Sequence, residues 1–199
     1  MANFSISIKS DVEDVQNMFF ALSRNNKDRF LRFSINQVGR KAFTETVKKM
    51  SKNLGIKQYV LRGKAGKGGM MKRRLASDNN LQFSISTKSR HLFVSEEIFK
   101  PKWHRGLKGV SAMYYGKRRT TKGSFLAAGK DSGKIIAFIR ETKSRYPIRP
   151  VFAFNPAWEM MKEENSGHIQ EKHIPEIPKV YYKKLDGFMS KRNRMKKIF

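Results

Sequence analysis

Leu31-Arg32-Phe33-Ser34-Ile35-Asn36-Gln37-Val38-Gly39-Arg40-Lys41-Ala42-Phe43-Thr44-Glu45-Thr46-Val47-Lys48-Lys49-Met50-Ser51-Lys52-Asn53-Leu54-Gly55 is the stretch that decides the fold. Leu31, Ile35, Val38, Ala42, Phe43, Val47, Met50 and Leu54 recur at three- and four-residue intervals. That spacing predicts one apolar stripe on an amphipathic helix. Lys48, Lys49 and Lys52 suit its C-terminal end, where the helix dipole is negative, and Gly55 is a natural residue to follow it in the left-handed conformation. Upstream, Val12, Val15, Met18, Phe19 and Leu22 keep the same spacing, and Ser10 with Asp11, Glu13 and Asp14 places a cap and negative charge at a helix start. Residues 11–54 therefore read as one long helix, or as two joined near Ser23 to Asp28, where Asn25-Asn26 is a weak helical stretch.

On either side of this helix the pattern changes. Met1 to Lys9 alternates apolar and polar residues and reads as a strand. Ile56 to Arg62 is either a short helix or a strand entry, and 63–69 is a flexible basic loop by composition. Leu81, Phe83 and Ile85 alternate with polar residues, as do Val110, Ala112 and Tyr114, so both tracts predict half-buried strands. Ser124 to Ala128 and Lys134 to Glu141 predict two more, joined by a hairpin turn at 129–133. Asn155 is placed to cap a helix through Ala157, Trp158, Met160 and Met161. Beyond about residue 166 the pattern weakens, and His173 to Val180, with Pro175 and Pro178, reads as an extended arm ending in a basic run at 191–197. The expected fold is α+β: a long N-terminal helix on a mostly antiparallel sheet, with a C-terminal helix and an extended basic arm. In domain terms that is one body over 1–166 and an arm over 167–199.

Charge is the strongest functional signal. Lys and Arg outnumber Asp and Glu by 43 to 16, and residues 51–150 hold 24 basic against 5 acidic side chains, or +19 of the total +27. Self-repulsion opposes compaction, so a folded domain has no structural need for such a surplus, and a polyanionic partner is implied. Hydrophobic residues at 39 % and aromatics at 12 % place the chain among core-forming sequences and not among basic disordered tails. The absence of cysteine excludes disulfides, thiolate metal sites and thiol nucleophiles. The N-terminus lacks the character of a signal peptide, and no run approaches the roughly 20 apolar residues of a membrane span. A soluble protein made in the cytoplasm, with no membrane partner, is expected.

Motifs of catalysis and ligand binding do not form. Gly129-Lys130-Asp131-Ser132-Gly133-Lys134-Ile135 has three residues where a phosphate loop needs four, and Ile135 where it needs Ser or Thr. His168 and His173 stand five apart, not the four that put two zinc ligands on one helix face, and read as solvated helix-end residues. His91 and His104 are lone. A nuclease would need clustered carboxylates, and 51–150 offers Asp78, Glu96, Glu97, Asp131 and Glu141 without ligand spacing. No enzyme, cofactor or metal is expected. The positive signal is basic clusters: Lys64 with Lys67; Lys72, Arg73 and Arg74; Lys88 with Arg90; Lys117, Arg118 and Arg119 with Lys122; and Arg140, Lys143, Arg145 and Arg149. Lined along one surface, such groups hold phosphates without reading bases. Trp103, Tyr114 and Tyr115 lie near them, for base stacking or for packing.

The segment from Ile35-Asn36-Gln37-Val38 through Val47-Lys48-Lys49-Met50 to Gly55-Ile56-Lys57-Gln58 resembles the opening of the phage minor tail protein Z family. The order that follows is similar as well: Arg74-Leu75-Ala76 before a strand at 81–86, Gly123-Ser124-Phe125-Leu126-Ala127, a Gly turn, a strand at 135–140, and Arg145-Tyr146-Pro147-Ile148-Arg149. The resemblance covers about residues 30–165. Lys64 to Gly69, Phe93 to Lys108 and the chain after 166 do not follow it. It implies a structural virion protein: a tail completion or neck component at the head-proximal end of the tail of a long-tailed phage. Such proteins form rings, commonly of six subunits, around the DNA channel and help join tail to head. Implied partners are further copies of the chain, tail terminator or tail tube proteins, the head–tail connector, and double-stranded DNA through its phosphates. Lys64, Lys67, Lys72, Arg73, Arg74, Lys117, Arg118, Arg119 and Lys122 are the candidate DNA-facing residues. The competing readings are an adaptor whose basic face docks on an acidic ring, and a cytoplasmic, sequence-nonspecific nucleic-acid-binding protein.

Overall fold

In a computed structural model of the chain, residues 4–8, 24–63, 69–106, 108–129 and 133–196 are described. Helix α1, Arg24–Leu54, carries the predicted stripe. Leu31, Ile35, Val38, Ala42, Phe43, Val47, Met50 and Leu54 are all buried. The helix runs without interruption from Arg24 through Asp28, and residues 9–23, where its expected beginning falls, lie outside the described set. It ends as anticipated: Gly55 has a φ of 67°, and Ile56 N–H reaches back to Ser51 O at 3.1 Å. Ile56 to Arg62 resolves as a short helix, α2, Gln58–Arg62.

The fold is α+β, and the paired strands of each described ladder run antiparallel. The chain divides into two compact units. The first comprises Met1–Phe4, Val47–Met71 and Thr87–Met161; the second comprises Ser5–Thr46, Lys72–Ser86 and Lys162–Phe199. The division differs from the expected body and arm: it cuts α1 between Thr46 and Val47 and groups Lys162–Phe199 with Ser5–Thr46 and Lys72–Ser86.

Largely within the second unit, β1 (Phe4–Ile8), β3 (Phe83–Thr87) and β2 (Met71–Arg74) form a sheet in the order β1-β3-β2. Phe83 and Ile85 are fully buried, as their alternation predicts. Asn36 of α1 stands in for a further strand: its side-chain amide donates to Ala76 O at 3.0 Å and accepts from Ala76 N–H at 2.8 Å. The expected arm is instead two helices, α5 (Glu163–His173) and α6 (Glu176–Lys196). Pro178 is the third residue of α6, inside the first turn, where a missing N–H breaks no helical hydrogen bond. Ile177, Tyr181 and Leu185 then bury one side of that helix. His173, expected in solvent, is 1 % exposed, with Nε2 3.3 Å from Glu45 of α1. Lys172 also pairs with Glu45, at 2.7 Å, and this hydrogen bond leads in holding the Glu45 carboxyl below its ordinary pKa.

The first unit holds three small sheets, ordered β10-β9-β8, β11-β4 and β5-β6-β7. The strands are β4 (Leu92–Phe93), β5 (Lys102–His104), β6 (Gly109–Tyr114), β7 (Lys117–Lys122), β8 (Ser124–Ala128), β9 (Ile135–Arg140), β10 (Ile148–Pro150) and β11 (Phe152–Phe154). Helices α3 (Glu96–Phe99) and α4 (Pro156–Met161) complete it. Strands β8 and β9 pair from Ser124↔Ile139 to Ala128↔Ile135, the predicted hairpin. Residues 130–132 of its turn lie outside the described set. Asn155 caps α4 by accepting from Ala157 N–H at 2.9 Å, with Pro156 in the first helical position. The core gathers Val47, Met50, Leu54, Leu61, Val94, Phe99, Val110, Ala137 and Phe154.

Candidate nucleic-acid interface

Lys117, Arg118, Arg119 and Lys122, a basic cluster by sequence, are four of the six residues of strand β7. The strand Lys117-Arg118-Arg119-Thr120-Thr121-Lys122 shows no apolar alternation because both of its faces are open to solvent along most of its length. Its place is fixed by β6, which pairs with it in full register from Gly109↔Lys122 to Tyr114↔Lys117. The connection is a two-residue turn, Tyr115-Gly116, with positive φ at both positions (53° and 67°). Two left-handed residues are what the favoured hairpin turn requires. At Tyr115 that conformation is uncommon for a bulky residue, and tertiary contacts hold it. Its N–H donates to Leu54 O at the end of α1, 2.9 Å away, and its ring packs 5.7 Å from Phe154. The tip of the basic hairpin is thus hydrogen-bonded to an otherwise orphaned helix carbonyl.

Register sorts the charges onto two faces, since paired residues project to the same side and alternate residues to opposite sides. Lys117 and Arg119 share the side of Val110, Ala112 and Tyr114. There the Arg119 guanidinium lies over Tyr114 and Tyr115, 5.6 and 5.7 Å from the ring centroids. Tyr114 also meets Phe99 edge-on, so both tyrosines pack. Arg118 and Lys122 take the other side, together with Thr120, Ser111 and Met113. Strand β5 adds Lys102 and His104 to that side through the pairs Lys102↔Ser111 and His104↔Gly109. Gly109 is obligatory at its position, because a Cβ would sit 2.3 Å from Thr121 O of β7.

At the centre of this second face Ser111 is 1 % exposed. Its hydroxyl accepts from an Arg118 N–H at 2.8 Å and lies 2.6 Å from His104 Nε2. No carboxylate is available to these cations from nearby sequence: residues 98–130 contain nine Lys and Arg, one His and no Asp or Glu. Elsewhere in this unit Lys134 pairs with Glu97, and Arg149 with Glu141 at 3.8 Å. Among the described residues no ion pair reaches β5, β6 or β7.

The remaining candidates fall elsewhere. Lys72, Arg73 and Arg74 occupy β2 in the second unit, all exposed, with Arg73 5.5 Å from the Phe43 ring centroid. Lys64 and Lys67 lie outside the described residues. Arg140 lies over Phe125 at 4.9 Å, and Arg145 over Tyr146 at 5.8 Å. Lys102 and His104 are not among the residues that clustering by sequence picks out, although they lie on the same sheet face as Arg118 and Lys122. Their signal in the sequence is the two-residue spacing of Lys102 and His104 across from Gly109 and Ser111. Trp103, one residue between them, projects to the opposite side and is 50 % exposed. Among the described residues no helix is long and apolar enough to cross a membrane. The chain matches no family model, no curated protein and no solved structure.

Proposed function

We propose that this chain is a structural protein that holds double-stranded DNA by its phosphates. In the setting implied by its resemblance to the minor tail protein Z family, it is a completion or neck component at the head-proximal end of a phage tail, in a ring around the DNA channel. The single observation that carries DNA holding is the β5–β6–β7 sheet, with Lys102, Arg118, Arg119, Lys117 and Lys122 exposed and without ion-pair partners among the described residues. A sheet carrying Lys102, Arg118 and Lys122 on one face and Lys117 and Arg119 on the other suits attraction to a phosphate backbone independent of sequence. The tail setting rests on the resemblance over residues 30–165.

Two experiments test the reading. Neutralising β7 as Lys117→Gln, Arg118→Gln, Arg119→Gln and Lys122→Gln together should weaken binding to random-sequence duplex DNA. The slope of log affinity against log salt should fall by about 0.9 for each phosphate that the variant no longer neutralises, or about 1.8 if DNA meets one face of the sheet and so two of the four cations. An unchanged slope would remove β7 from the interface. Electron microscopy of virions carrying a C-terminal tag should show label at the head-proximal tail end; label on no particle would favour the free nucleic-acid-binding protein.

A further inference from the structure

We propose that the open face of the β5–β6–β7 sheet is a built site for one phosphate group, gripped by Arg118, His104, Lys102 and Lys122 above the Ser111 hydroxyl. It takes from the proposed function only the expectation that the ligand carries phosphate. The observation is convergence without compensation. Arg118 and His104 reach from opposite neighbouring strands to the same hydroxyl, at 2.8 and 2.6 Å, so their side chains meet over the central strand. Cross-strand pairing brings Lys102 alongside Ser111, and Lys122 into the row of His104 and Gly109. Four groups able to donate hydrogen bonds, three of them permanent cations, therefore flank two small residues of β6, and 98–130 supplies no carboxylate to pair with them.

Satisfying Ser111 does not account for this arrangement. A buried hydroxyl needs one donor and one acceptor, and the Lys102 carbonyl already lies 3.4 Å from its oxygen as an acceptor. A guanidinium has five N–H donors, and the serine takes one of them. The others remain on the open face in a fixed fork, the geometry that binds a phosphate through two oxygens. Ser111 then acts as a positioning residue: it holds the Arg118 side chain over β6, removing a cost of ordering that a free surface arginine incurs on binding. Gathering like charges opposes folding unless an anion joins them, and a phosphate is compact enough to sit among four donors.

Titration of the full chain with inorganic phosphate at constant ionic strength, balanced with chloride, tests the site. The observables are the NMR signals of the Arg118 Nε–H and the His104 ring. A saturable shift of both is expected, with affinity about tenfold lower in Arg118→Gln and in His104→Gln, each of which removes one donor to a charged acceptor. Ser111→Ala should weaken binding while leaving β6 paired, and Arg149→Gln, on β10 and paired with Glu141, should leave the titration unchanged. A linear, non-saturating response, or the same affinity in wild type, Arg118→Gln and His104→Gln, would overturn the proposal. A second arm uses a short duplex. Shift of the same two signals, reversed by added phosphate, assigns the site to a nucleic-acid backbone. Saturation by phosphate with a duplex that leaves them unmoved assigns it to a free phosphate compound, and then the site stands while the DNA reading fails. Salt-sensitive duplex binding that Arg118→Gln and His104→Gln leave intact, without phosphate saturation, would retire the site and leave the DNA reading in place.

Discussion

Gly39→Ala is the substitution for which two physical effects of known size oppose each other. In the interior of α1, replacing glycine with alanine should stabilise by about 1 kcal/mol from helix propensity. The position is not free, however: a Cβ built there would lie 2.3 to 2.6 Å from three ring atoms of Phe83. Carbon atoms in contact prefer about 3.5–4.0 Å, so the ring would have to withdraw by more than about 1 Å. Phe83 is fully buried on the central strand of the β1-β3-β2 sheet. Overpacking of this kind costs about 1–3 kcal/mol. With the propensity gain subtracted, Gly39→Ala should destabilise by up to about 2 kcal/mol, read as a lower midpoint in urea at unchanged slope. In a Phe83→Ala background the same change should reverse sign, because the new methyl then enters the vacated space and only propensity remains. Stabilisation of the otherwise wild-type chain by Gly39→Ala would refute the reasoning and show that Phe83 does not pack on the helix backbone.

Asn36→Ala should cost about 1–3 kcal/mol in the same denaturation assay, since both Ala76 backbone groups lose their partner; a loss within error would mean water replaces the amide. Asn155→Ala should cost about 1 kcal/mol through the α4 cap, and Asn155→Asp should retain most of that contribution. Glu45 has its pKa lowered in the folded protein, chiefly by its hydrogen bond to Lys172 and with help from His173, so its contribution to stability is present above the unfolded pKa and lost as pH falls through the folded one. Acid denaturation of Glu45→Gln should therefore have a shallower limb in the carboxylate range, and an unchanged limb would show that the ion pair does not stabilise the fold.

How much of the fold and the site is legible in the sequence depends on whether a residue's environment leaves a period there. The α1 stripe does, because Ile35, Val38, Val47, Met50 and Leu54 each meet a core at helical spacing. Phe83 and Ile85, and Val110 and Ala112, do so at period two. Strand β7 does not, because a strand open on both faces needs no apolar residue, so its identity is held by β6 and by the Tyr115-Gly116 turn. The C-terminal helices are obscured differently. Pro175 and Pro178 read as helix breakers, yet Pro178 falls in the one turn where proline is tolerated, and only the register of Ile177, Tyr181 and Leu185 shows the helix continuing. The burial of His173 leaves no trace in the sequence, because its polar neighbours there say nothing about Glu45, which packs against it from α1.

The bland account of the β7 charges is that an edge strand needs them. A terminal strand with free backbone groups invites pairing with another chain, and lysine or arginine along it is a common deterrent. That account explains cations at an edge, and β5 and β7 are the two edge strands of their sheet among the described residues, so it covers Lys102 as well as the β7 charges. It does not require convergence of Arg118 and His104 on one buried hydroxyl from either side of the central strand. Deterrent charges repel one another into solvent, whereas Arg118 and His104 are drawn in to the Ser111 hydroxyl. The two accounts part experimentally at Ser111→Ala. An edge that needs only charge would not respond to loss of a hydroxyl on the strand next to it, whereas a phosphate site built on that hydroxyl would lose affinity with every lysine and arginine still in place.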